Sequence, residues 1–148
     1  MKIVIGTDHR GFALKEWLKQ QVMTAHEPIS WIDIGCFTAE RCDYPPFAIE
    51  ACQYILQKRA SHAVLLCGTG VGMAIAANRF AGIYAGLVWN EEVARKSKED
   101  DNCNVLALPA DYLNEEQMRA CIQAWISATF KGGRYQTRID MIDKILRY

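Results

Sequence analysis

His62-Ala63-Val64-Leu65-Leu66-Cys67-Gly68-Thr69-Gly70-Val71-Gly72-Met73 is an apolar run that closes on a cysteine and opens into three alternate glycines. The run is continuous rather than alternating, as in a strand covered on both faces of a parallel sheet. Ala74, Ala76, Ala77 and Phe80 then mark a helix. Four similar runs flank this one: Lys2–Gly6, Trp31–Gly35, Ile83–Trp89 and Asn104–Leu108. Between them lie apolar stripes at helical spacing. They are Leu14, Trp17, Leu18 and Val22; Ala48, Cys52, Ile55 and Leu56; Met118, Cys121, Ile122, Trp125, Ile126 and Thr129; and Ile139, Ile142, Ile145 and Leu146. About five strand–helix alternations predict an α/β fold: a doubly wound, mainly parallel sheet with helices on both faces. The last helix follows Lys131-Gly132-Gly133 with nothing left to cover. Its apolar face is expected to pack on a second subunit.

The chain of 148 residues suits one domain, 1–148. Lys and Arg number 17, as do Asp and Glu. This balance gives no support for bulk binding to nucleic acid or an anionic membrane. No apolar run reaches the roughly 18–20 residues of a membrane span. The N-terminus lacks the features of a signal peptide, so a cytoplasmic protein is expected. Six cysteines, at 36, 42, 52, 67, 103 and 121, include no C-x-x-C pair and no zinc-like cluster. In a reducing compartment they are free thiols, mostly small buried hydrophobes.

In such sheets ligands collect at the carboxyl ends of the strands. A strand–glycine loop–helix junction there aims backbone N–H groups at an anion, although glycine clusters also make plain βα turns. Met73 excludes the dinucleotide fingerprint G-x-G-x-x-G, and the lysine of a P-loop is absent. A cysteine-phosphatase cradle of the form C-x5-R would need arginine at 73. What remains is a thiol at the lip of an anion-stabilising loop. The loop dipoles favour a thiolate and an enediolate. That chemistry suits moving a proton between adjacent carbons of a sugar. Arg134 and Arg138, four apart at a helix start, share one face and suit a phosphate dianion or form an exposed basic edge.

Asp8-His9-x-Gly11, Arg41-x-Asp43-Tyr44-Pro45, Cys67 through Gly72 with Ile75-Ala76-Ala77-Asn78, and Gly132-Gly133-Arg134-x-x-x-Arg138 occur in that order. Together they resemble the ribose-5-phosphate isomerase B and galactose-6-phosphate isomerase family over nearly the whole chain. The resemblance implies a Rossmann-like three-layer sandwich, a homodimer or tetramer of dimers, an active site between subunits, a small-molecule sugar phosphate as ligand, and no metal or organic cofactor. It implies Cys67 as the base that shuttles the C1/C2 proton, with Thr69 at the substrate oxygens. Gly68, Gly70, Val71 and Gly72 would hold the enediolate. Asp8 would bind sugar hydroxyls, and His9, Arg134 and Arg138 the phosphate.

The chain also departs from that pattern. Asp100 stands at the position of the family's ring-opening His and Asp101 at that of the neighbouring Asn. Asp111 replaces an Arg after the fifth strand, and Tyr135 a His. Asp100 is expected to take the catalytic position and Asp101 to bind substrate, since a neighbouring carboxylate or burial raises a carboxyl pKa. A solvated acidic helix end is the other reading of that pair. The galactose-6-phosphate branch resembles the chain in this acidic residue. An open-chain tetrulose phosphate would need no ring-opening acid. A non-catalytic sugar-phosphate binding protein is a further alternative.

Overall fold

The computed structural model describes residues 1–21, 23 and 27–145. Val22 and Leu146, two of the stripe positions above, lie outside the described residues. Five parallel strands form one sheet: β1 Lys2–Thr7, β2 Ser30–Asp33, β3 His62–Cys67, β4 Ala85–Leu87 and β5 Val105–Pro109, in the order β2-β1-β3-β5-β4. The helices are α1 Phe12–Lys19, α2 Pro45–Leu56, α3 Val71–Ala77, α4 Glu91–Glu99, α5 Glu115–Ser127 and α6 Arg134–Ile145.

Continuous apolar strands have a simple cause here. Ile3, Ile5, Val64, Leu66, Leu106 and Leu108 face one layer, with Leu18, Ala94, Met118, Ile122 and Trp125 of α1, α4 and α5. Val4, Ala63, Leu65, Cys67, Val105 and Ala107 face the other, with Ala48, Cys52, Met73 and Ala77 of α2 and α3. Alternate side chains point to opposite faces, and both faces are covered, so neither set can be polar.

The expected strand at Ile83–Trp89 is shorter. At its start the Tyr84 amide donates to Asn104 Oδ1 (2.9 Å), and at its end Asn90 caps α4 by accepting from the Val93 amide (2.8 Å). Phe80 and Thr129 fall just beyond the ends of α3 and α5.

Two ends of the sheet matter for function. At the carboxyl end, the amides of Ala110 and Asp111 donate to the carbonyls of Cys67 (2.9 Å) and Gly68 (3.0 Å). At the other end, the Ala63 amide donates to the Asn104 carbonyl (3.0 Å), and Lys98 Nζ lies 3.4 Å from His62 Nε2. The C-terminus of α4 therefore sits beside the start of β3. α6 is attached to this same end: the Lys131 amide donates to the Glu99 carbonyl (2.9 Å), and the Tyr84 hydroxyl donates to Asp143 (2.8 Å). Ile139 is buried, whereas Met141, Ile142 and Ile145 are 60%, 52% and 69% exposed.

Candidate active site

The first group of candidate residues lies at the carboxyl end of β1 and β3. Asp8 is buried, and its Oδ1 accepts from the Arg10 amide (2.9 Å), which closes the 3₁₀ turn His9–Gly11. His9 Nδ1 lies 3.1 Å from the Cys42 carbonyl oxygen. Cys67, 4% exposed, ends β3 at the upper margin of the layer formed with α2 and α3.

The loop behind it is shaped by close contacts. Gly70 has φ +74, and a Cβ there would stand 2.5 Å from Leu87 Cδ1. A Cβ on Gly72 would meet the Tyr44 ring at 2.5 Å, and one on Gly68 would meet Arg10 Nε at 2.7 Å. The first amides of a helix have no partner within it. Of those of Val71, Gly72 and Met73, among the described residues only Val71 finds a side-chain acceptor, Thr69 Oγ1 at 3.3 Å. The loop therefore presents amide donors next to a thiol, an arrangement able to stabilise an oxyanion.

The second group lies at the opposite end of the sheet. Lys131, Arg134 and Arg138 gather about the Tyr135 ring at 5.3, 5.1 and 5.3 Å from its centroid. Arg138 and Asp101 line a cavity of about 550 Å³, between α6 and the β4–α4 edge, with Tyr84, Leu87, Trp89 and Ile142. β3 separates the two groups by five residues, about 17 Å at strand rise. One chain thus brings Asp8, His9, Cys67 and the loop together, and separately Asp100, Asp101, Arg134 and Arg138. It does not bring the two sets to one another.

The acidic pair is not symmetric. Lys131 Nζ stands 2.6 Å from Asp100 Oδ1 and 3.1 Å from Glu99 Oε2. That ammonium holds Asp100 below its ordinary value. Glu99, bonded to Arg95 and Lys131, falls to about 2. A proton donor needs the reverse shift. Asp100, expected in the catalytic position, is here an ion-pair partner. Asp101 is the carboxyl held above its ordinary value, by desolvation first and by the Asp100 charge second, against the pull of Arg138.

Sequence reading assigned no role to Arg10 or Asp111 as a pair. Arg10 Nε donates to Asp111 Oδ1 (3.1 Å) and Nη2 to Oδ2, across Gly68. The signal was present as two opposite charges after the two strands that flank β3. Tyr44 appeared only as part of a motif, and its ring covers the loop. Among the described residues no group of three His, Cys, Asp or Glu side chains is placed to hold a metal ion, and no helix is long and apolar enough to cross a membrane.

Comparison with known proteins adds to this geometry. Residues 3–142 match the family model described as Ribose/Galactose Isomerase. Ribose-5-phosphate isomerase B of Escherichia coli K12 is 35% identical over 144 residues, 97% of this chain and 95% of that protein. Ribose-5-phosphate isomerase B of Clostridium thermocellum superposes with a TM-score of 0.89 at 34% identity, over 99% of this chain and 98% of the other. The Mycoplasma genitalium enzyme, solved with bound ribulose 5-phosphate, gives 0.86 at 31% identity, over 99% and 96%. The chain belongs to the ribose/galactose isomerase family.

Proposed function

We propose that the protein is a cofactor-independent aldose–ketose isomerase of a sugar phosphate, of the ribose 5-phosphate/ribulose 5-phosphate type. The observation that carries this reading is Cys67 at a strand end, followed by a glycine loop that opens into the N-terminus of α3. The similarity to ribose-5-phosphate isomerase B supports the same conclusion. We read the protein as cytoplasmic, in keeping with six free thiols.

The reaction runs through an enediolate. Asp101, the carboxyl with the raised value, gives a proton to the ring oxygen as the C1–O4 bond breaks, and its carboxylate takes the C1 hydroxyl proton, which leaves the open aldehyde. The Cys67 thiolate removes the C2 proton of the aldose. Amides of Gly68, Gly70, Val71 and Gly72 hold the oxyanion, which costs no reorganisation because the loop is already shaped. Thr69 passes the hydroxyl proton between O2 and O1, and the Cys67 thiol returns its proton to C1. Asp8 binds sugar hydroxyls. His9, Arg134 and Arg138 bind the phosphate.

These residues meet only if two copies join, the loop of one facing α6 of the other. The separation of the two groups within one chain supports this homodimeric arrangement, and so do the exposed Met141, Ile142 and Ile145. A second substrate, galactose 6-phosphate, is favoured by the carboxylates at 100 and 101. A panel of tetrose, pentose and hexose phosphates tests the reading. Interconversion of ribose and ribulose 5-phosphates is expected, with Cys67→Ala inactive but still binding phosphate ligands. Retained turnover in Cys67→Ala, or tight binding of the panel without turnover, would overturn it.

A further inference from the structure

Arg10 follows β1 and Asp111 follows β5, and β3 lies between those strands. Their side chains therefore span the carboxyl end of β3, where the candidate base sits. The two parallel bonds form a planar fork, Nε to Oδ1 at 3.1 Å and Nη2 to Oδ2. The crossing passes directly over Gly68: a Cβ there would lie 2.7 Å from Arg10 Nε and 2.8 Å from Asp111 Oδ2. The pair is half open to solvent, 54% and 31% exposed. Pairs so exposed contribute little to stability. Stability alone thus gives weak reason for two charged side chains to lie over a glycine beside Cys67.

Charge gives a better reason. Asp8 and Asp111 both stand at this strand end, and a sugar phosphate arriving there is itself an anion. Arg10 neutralises Asp111. The fork uses Nε and one Nη2 hydrogen, and guanidinium has five donors in one rigid plane. Nη1 has no partner among the described residues. Asp111 thus aims a guanidinium and leaves donors on its outer edge.

We propose that Arg10, oriented by Asp111, is a substrate-positioning residue that donates to the phosphate of a sugar phosphate seated on the Gly68–Gly72 loop. This rests on the isomerase reading for its substrate but not for its binding test. Inorganic phosphate is titrated calorimetrically into the wild type, Arg10→Ala, Arg10→Lys and Asp111→Asn, and the isomerase KM and kcat are measured alongside. Arg10→Ala is expected to weaken phosphate binding and raise KM about tenfold, with kcat changed less than about threefold, as for loss of one charge-assisted contact. Arg10→Lys restores part of the loss, and Asp111→Asn falls between. Arg10→Ala that binds phosphate as the wild type does would overturn the proposal. So would a fall in kcat at constant KM, which would make the pair a brace for the loop. If no sugar phosphate turns over, the isomerase reading fails while the phosphate titration still decides the role of Arg10.

Discussion

Gly70→Ala tests how the loop behind Cys67 is held. Gly70 has φ +74, a region that costs an L-residue about 1–2 kcal/mol. A Cβ there would also stand 2.5 Å from Leu87 Cδ1, 3.1 Å from the Leu108 carbonyl carbon and 3.3 Å from Pro109 N. Two of these neighbours are backbone of β5 and cannot swing away. Overpacking of this kind costs about 1–3 kcal/mol, so the total is about 2–5 kcal/mol. For a chain of this size each kcal/mol shifts Tm by about 2–4 °C, which predicts a fall of about 4–20 °C. Gly132→Ala is the control: its φ is +65, and nothing lies within 4 Å of its Cβ. It meets only the backbone cost, about 1–2 kcal/mol. Both variants gain equally from a stiffer unfolded chain, so that effect cancels in the difference. Thermal unfolding followed by circular dichroism, at one protein concentration, reads both. Equal losses in the two variants would refute the steric argument, and no loss in either would refute the left-handed one.

Two further predictions concern charge. Lys15 is fully buried and its ammonium holds both oxygens of Asp33 at 2.7 Å, with Lys19 at 2.6 Å. Burial alone would push Asp33 up, but the bonds from Lys15, Lys19 and the Gly35 amide leave it below the ordinary carboxylate value. Its stabilisation is therefore complete above the unfolded value and is lost as pH falls through the lower folded one. Asp33→Asn should cost about 3 kcal/mol at neutral pH and flatten the acid limb of stability in denaturant titrations; an unchanged limb would contradict this. For Asp101 the sign is opposite: the raised value keeps it protonated to higher pH, and activity on a ring-form sugar falls as pH rises through it. Asp101→Asn should remove that limb and slow the ring-form reaction about a hundredfold. A tetrose 4-phosphate, with no free hydroxyl to close a five-membered ring, should be spared if the enzyme accepts it. If Asp100→Asn has these effects instead, the donor is misassigned.

The layer order was legible in the sequence because continuous apolar strands and helical stripes leave few topologies. His62–Cys67 is strand from end to end, as its uninterrupted apolar run requires. The edge strand was less legible: Ile83–Trp89 reads as one apolar run, yet the strand starts only at Ala85, after the Tyr84 amide has donated to Asn104, a side chain twenty residues away. The candidate site divides in the same way. Cys67, Asp8 and the glycines stand at strand ends, where topology alone puts them. The ion pair between Lys131 and Asp100 comes from another segment, whose reach no spacing reveals. The Arg10–Asp111 fork depends on β3 lying between two strands distant in sequence.

Complementation between two inactive variants tests the shared site directly. Cys67→Ala removes the proposed base of one half and Arg138→Ala a proposed phosphate ligand of the other. In a mixed dimer one site carries both defects and the second carries neither. With random pairing half the dimers are mixed, so mixing by co-refolding should recover about a quarter of wild-type activity. Mixtures that remain as inactive as their parents would contradict a site built from the loop of one copy and α6 of another.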